Sequence, residues 1–325
     1  MVISKPVPSS THPLEIMKSA QARSPAGQTQ QFRQPGRHQT GRTASGHHFP
    51  GNGELDISGN TLIQGPSLSA ASGTGILHSS GVNLKIANSE IYQWSTGYWF
   101  RGTGSQKNCC AGVFISNLVM SQDEICIHLD SGNATFPELV YFTMSGGVLT
   151  CKYGIIDDNK PGWLADLAIT GVVFTPGVGI STGAGTGIYL QQASRFAITG
   201  NVFDGGPTLG NNGIIIGQGA SDGIIQGNVF NKGTIAAPIS NSSVSVRVLD
   251  NPGYNPVGGS TVAVGPSPWT YTAGPSPETL YELGGTITSI MTSGVSVPIG
   301  SQNLGPFESV TITYTSVPNV SRVIH

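Results

Sequence analysis

Apolar residues recur along this chain in short alternating runs, not in helical stripes. The phrases "FAITGNVF", Phe196–Phe203, and "GIIQGNVF", Gly223–Phe230, are nearly identical. With Ile198 as the anchor, an apolar residue stands two positions before it. A turn residue follows two or three later, and a second apolar residue five later. The same frame fits Leu84, Ile86 and Ile91; Val113, Ile115 and Met120; Leu167, Ile169 and Phe174; and Ile225 with Phe230. Leu139 with Met144 is a weaker match, and Val246 with Val248 is the last. The spacing from one anchor to the next is uneven but always roughly 23–30 residues, within the range of repeat architectures. A second short run, usually Gly-Ile, precedes each anchor, at Ile76, Trp99, Ile127, Ile155, Ile188 and Ile214.

Period-two alternation buries one face of each run, so the runs are strands. Gly and Asn between them tolerate the positive φ of a sharp corner. A unit of roughly 20–30 residues built only of short strands cannot bury its apolar side chains alone, so units must stack. The pattern predicts an all-β protein whose main part, residues 53–258, is a parallel β-helix, right-handed by the usual crossover rule. Ile stacks on Ile and Phe on Phe in this arrangement. Asn201 and Asn228 fall at equivalent corners, where side-chain amides can bond from coil to coil.

The ends differ. Residues 1–52 are polar and short of aliphatic side chains, and would be disordered alone. They carry Lys5, Lys18, Arg23, Arg33, Arg37 and Arg42. The expectation is an extended arm, either a loose tail or a segment that orders on a larger assembly. Residues 259–325 hold short alternating strands between Pro and Gly turns, at Trp269–Thr272, Thr279–Leu283, Thr286–Met291 and Ser309–Tyr314. A small β-sandwich-like domain follows from them.

The runs "GPSPWTYT" (Gly265–Thr272), "GGTITSI" (Gly284–Ile290) and "GPFESVTITYTSVP" (Gly305–Pro318) resemble a C-terminal module of phage tail spike and tail fibre proteins. The connecting "NPGYNPVG", Asn251–Gly258, is similar too. The resemblance implies a virion protein of the tail spike or fibre type, located on the phage particle. It implies a homotrimer that binds a host-surface glycan and meets other virion proteins through residues 1–52. The alternative within the same resemblance is a glycan depolymerase, hydrolase or lyase. The chain is shorter than the large depolymerases of that group, and residues 1–52 match no head-binding domain.

Composition narrows the chemistry. Charged residues are 10% of the chain and the net charge is −2, so neither nucleic acid nor an anionic membrane is an expected partner. No stretch is long and apolar enough for a membrane helix. The N-terminus lacks the apolar core of a signal peptide, which suggests synthesis in a host cytoplasm. Cys109, Cys110, Cys126 and Cys151 are too few for a disulfide scaffold. They read as buried or loop thiols, with an inter-chain disulfide as the alternative. His47 and His48 lack further ligands, and the Gly-rich runs lack a phosphate-loop Lys, so no cofactor and no metal are called for.

Glycan cleavage needs two carboxylates about 5–10 Å apart. Acids at equivalent places on neighbouring coils could supply them, since paired strands lie roughly 4.8 Å apart. Asp130, Asp157 and Asp158 are the candidates, because Ile127 to Asp130 and Ile155 to Asp158 span the same distance. The competing reading is a row of solvated corner acids. For glycan binding the candidates are Trp94, Trp99, Arg101 and Trp163. Aromatic faces stack on sugar rings, and Arg binds acidic sugars in a bidentate manner. Packing in the core or between subunits competes for the same aromatics.

Overall fold

The structure is a computed structural model that describes residues 31–32, 39–40, 45–49, 54–59, 61–65, 73–78, 83–101, 111–121, 124–130, 139–157, 164–176, 183–205 and 210–325. The anchors form one column. Ile57 pairs with Ile86, and the column continues through Ile115, Met144, Ile169, Ile198 and Ile225 to Val248, always between parallel strands. All of these side chains are buried. Each buried aliphatic contributes roughly 1.5–3 kcal/mol relative to exposure, so the column is a principal source of the rod's stability.

Three ladders make a three-sided rod. The first holds Glu54–Ile57, Ala165–Thr170, Ser194–Thr199, Ile224–Gln226 and Arg247–Leu249, with the leading halves of Asn83–Tyr92, Ala111–Ser121 and Leu139–Cys151. The trailing halves of those three long strands continue into the second ladder, with Val173–Pro176, Val202–Phe203 and Val229–Phe230. The third ladder is a separate eight-stranded sheet that runs from Ser45–Phe49 through Thr74–His78, Thr96–Arg101, Ile125–Asp130, Tyr153–Asp157, Thr186–Leu190 and Asn211–Ile216 to Ile235–Asn241.

The corner between the first two ladders repeats a backbone device. Asn88, Asn117, Gly146, Gly171, Gly200, Gly227 and Asp250 all have positive φ, between 48° and 68°. That is why Asn, Asp and Gly recur there. The Asn after the corner is a different component. Asn201 donates from Nδ2 to Asn228 Oδ1 at 3.0 Å, and Asn228 donates to Asn251 Oδ1 at 3.0 Å. Each also donates to a main-chain oxygen one rung back, Ile169 and Ile198. These buried amides are fully engaged, as burial demands. Inside the second corner, Phe174, Phe203 and Phe230 stack at centroid distances of 4.8 and 4.9 Å. The Gly of each Gly-Ile run faces them. A Cβ at Gly187 would come 2.6 Å from the Phe203 ring, and one at Gly213 would come 2.5 Å from Phe230. Those glycines exist for close approach, not for a turn.

Four expectations shift. In the rung of Leu139–Cys151 the anchor is Met144, not Leu139, with Leu149 in the outer apolar place beside Met120 and Phe174. In the rung of Thr96–Arg101 the buried column passes through Tyr98, not Trp99. A slip of one residue turns a side chain to the other face. Cys126 and Cys151 are buried as expected, but they are bonded to each other within the chain. Cys109 and Cys110 lie outside the described residues. Finally, part of the polar N-terminal segment is in the rod. Gln31–Phe32, Gln39–Thr40 and Ser45–Phe49 pair in parallel with Glu54–Ile57, Leu62–Gln64 and Thr74–His78.

After the last rung, two antiparallel four-stranded sheets enclose a small core of Ala273, Leu280, Ile290, Leu304, Val310, Ile312 and Val320. The four expected strands are present, joined by Gly258–Val262, Val295–Val297, Gln302–Leu304 and Asn319–Ile324. Val248 N–H donates to Pro275 O at 2.6 Å, and Asn255 Nδ2 donates to His325 O at 2.7 Å. These bonds fasten the domain to the end of the rod.

Candidate functional site

The outer surface of the first ladder is the side of the rod that offers both shape and polar chemistry. Along it, Asp56, Lys85, Phe114, Thr143, Ala168 and Ala197 stand one above another in register. Two residues further along each strand runs a column of small groups: Ala87, Ser116, Ser145, Thr170 and Thr199. Small residues beside a large one leave a trough. It encloses about 290 Å³ between Asp56, Ser58, Lys85, Phe114, Ser116, Thr143 and Ser145.

Phe114 is 38% exposed at the wall of this trough, and Tyr141 is 53% exposed one rung on. Between them Gly112 keeps the space open, since a Cβ there would meet the Phe114 ring at 2.8 Å. Asn83 Oδ1 accepts from the Gly112 amide at 2.9 Å, which fixes the strand below the ring. Further along the same edge, Arg195 grips Asp166 with two bonds of 2.8 and 3.0 Å. The Arg195 hydrogen bond holds the Asp166 carboxyl below its ordinary range. The outer face of this ladder therefore presents aromatic rings, hydroxyls and fixed charges of both signs along a trough parallel to the rod.

The acids singled out by sequence sit elsewhere. Ile127 pairs with Ile155, so Asp130 stands over position 158. Asp158 itself is outside the described residues. Asp157 pairs with Leu129, is buried, and accepts from the amides of Gln191 and Gln192 at 2.8 and 2.9 Å. It fastens the turn after Thr186–Leu190 in the next rung. Asp130 is equally buried and in register with Arg101. Asp130 and Asp157 thus point away from open solvent and are offset by one residue. Among the described residues no three His, Cys, Asp or Glu side chains gather as metal ligands.

The aromatic candidates divide. Trp94 is 2% exposed and lies in the core against the Gly65 and Gly75 backbone, so it offers no face to a ligand. Trp99 lies on the outer face of the third ladder. Its ring stacks on His128 at 5.2 Å, and the Arg101 guanidinium lies 5.3 Å from its centroid. Trp163 is outside the described residues. Phe114 and Tyr141 were not singled out by sequence. The signal was present, because Phe114 sits between two inward anchors, Val113 and Ile115, and so must face out.

No family model matches this chain, and no curated protein matches it. Among solved structures it is similar to a tailspike protein variant of E. coli bacteriophage HK620 in complex with a hexasaccharide. The two are 11% identical with a TM-score of 0.41, over 84% of this chain and 59% of that one. A second variant of the HK620 tailspike, in complex with a pentasaccharide, is 9% identical with a TM-score of 0.25, over 86% of this chain and 75% of that one. The chain thus spans less than two thirds of the first of these structures.

Proposed function

We propose that this chain is a virion protein of the tail spike or fibre type that binds a host-surface glycan along the trough of the first ladder. The observation that carries the reading is the half-exposed Phe114 ring set beside Lys85, Asp56 and a row of Ser and Thr hydroxyls. A ring presents an apolar face to the C–H face of a sugar. Flanking hydroxyls and charges exchange hydrogen bonds with sugar hydroxyls. A trough parallel to the rod suits a linear chain of sugars. The resemblance of residues 251–325 to a tail spike module supports the same reading. In it, the segment before residue 53 docks the particle, and the rods assemble as homotrimers.

Binding without cleavage fits the groove better than hydrolysis. Among its described lining residues Asp56 is the one carboxylate, and it lies in register with Lys85. Two-carboxylate cleavage has no partner for it there. The test is retention of host polysaccharide by the purified protein. Phe114→Ala should weaken it by about tenfold, which corresponds to about 1.4 kcal/mol. Wild-type affinity in that variant would overturn the assignment of the groove. Release of oligosaccharide by the parent protein would overturn the binding-only reading.

A further inference from the structure

The third ladder turns a very different surface outward. In register along it stand Leu77, Trp99, His128, Ile156, Tyr189 and Ile215. Every one is partly exposed. Their inward neighbours Ile76, Tyr98, Ile127, Ile155, Ile188 and Ile214 are fully buried, so the column is the solvent side of the sheet. On a sheet with one wet face, that side is expected to be polar. Here it is aliphatic and aromatic across six rungs, which at roughly 4.8 Å per rung is about 24 Å of rod. An apolar surface of this continuity marks an interaction site.

We propose that this column is the contact along which copies of this chain pack side by side as parallel rods. The choice of a second copy as occupant rests on charge and period. Around a rotation axis parallel to the rods, each residue of such a column meets its own copies at the same height. Like charges there would repel, and the column contains no Asp, Glu, Lys or Arg. The charges lie at its border, where Arg101 covers the Trp99 ring and Lys152 the Tyr153 ring. The rung spacing is common to all copies, so rows that interlock at one rung interlock at every rung. Trp99 and Arg101 then belong to the subunit contact and its rim, and not to a glycan platform. This inference rests on the oligomer assumed above, and not on the groove.

Sedimentation of the full chain provides the test. The parent should sediment as an oligomer of 33.6 kDa protomers. Ile156→Asp with Tyr189→Asp should shift it to monomer, whereas Thr170→Asp with Thr199→Asp on the first ladder should not. A milder variant guards against misfolding. Ile156→Cys should give a covalent dimer on oxidation beyond the parent's background, and Thr170→Cys should not. A parent monomeric at all concentrations would overturn the proposal, as would a double-Asp variant that keeps its assembly. Polysaccharide retention measured on the same samples separates the two readings. A monomer that still binds leaves the groove standing, and an intact oligomer that fails to bind removes the groove alone.

Discussion

The rod keeps its core as rows, one like side chain above another, while the C-terminal domain gathers its core around a single centre. In the rod, Phe203 touches a Phe above and a Phe below, and buried Asn228 does the same with Asn201 and Asn251. Buried polar groups there are satisfied by translation, since every rung brings the partner the previous rung lacks. The C-terminal domain has no such repetition. Its buried Glu278 depends on one-off partners: the Gly274 amide at 2.7 Å, the Tyr271 hydroxyl, and Arg322 at 3.6 Å. Further along the same strand and on the same face, Glu282 has both carboxylate oxygens covered and neither in a hydrogen bond. Repetition distributes the cost of a defect among neighbours. A unique core concentrates it.

The largest expected effect comes from breaking a row in its middle. Phe203→Ala removes a ring stacked on both sides and leaves a cavity facing Gly187, whose lack of a side chain was matched to that ring. A loss of about 3–5 kcal/mol is expected, read as a drop in the unfolding midpoint of the rod with the C-terminal transition unchanged. Coincident loss of both transitions would show that the two parts do not differ as argued. Next in size is the crosslink. Cys126 and Cys151 close a loop with a sequence separation of 25. The chain-entropy estimate for such a loop is about 3–4 kcal/mol. Replacing both with Ser should lower the rod's stability by that order, and reductant should do the same to the parent and nothing to the variant. Since disulfides persist in oxidising surroundings, the rod gains this increment after it leaves a reducing compartment.

These features differed in how far sequence revealed them. The column from Ile57 to Val248 was legible because alternation with a fixed offset admits one register. It slipped at Leu139, where Gly146 and Gly147 extend the strand through the corner and the apolar residues Leu139, Phe142, Met144 and Leu149 offer two framings. It slipped again at "GYWF", where three adjacent aromatics give no alternation to follow and only pairing with Ile127 selects Tyr98. The strands at Gln31–Phe32 and Gln39–Thr40 were not legible, because they have almost no aliphatic side chains and join the rod through main-chain pairing. The groove was half legible. An outward Phe114 follows from alternation, but its union with Asp56 and Lys85 needs three rungs in register, each contributed by a separate strand far off in sequence. Asp157 misled because sequence cannot tell a corner acid open to solvent from one that grips the amides of Gln191 and Gln192.

The smallest effect sharpens the comparison most, because it reverses the usual direction of a substitution. Burial pushes the Glu282 carboxyl from its ordinary 4.5 up to about 7, and the nearby amides of Glu282 and Gly300 only partly oppose this. The folded domain therefore holds a proton that the unfolded chain releases. Its stability is greatest below about pH 4.5 on this account, falls as pH rises toward 7, and is flat above, once both states are ionised. The shift corresponds to about 3 kcal/mol at face value. The oxygens are covered but the rest of the side chain is half open, so solvent screening reduces the expected penalty to about 1–2 kcal/mol. Glu282→Gln keeps the shape and removes the charge. It should raise the C-terminal transition at pH 8 by that amount, leave it unchanged at pH 4, and leave the rod's transition unmoved at both. The corresponding change at Glu278, whose carboxylate is held by Gly274, Tyr271 and Arg322, should destabilise at pH 8. If both substitutions act in the same direction, the distinction between a partnered and an unpartnered buried acid on one strand is wrong, and the C-terminal domain tolerates buried charge more evenly than its hydrogen bonds imply.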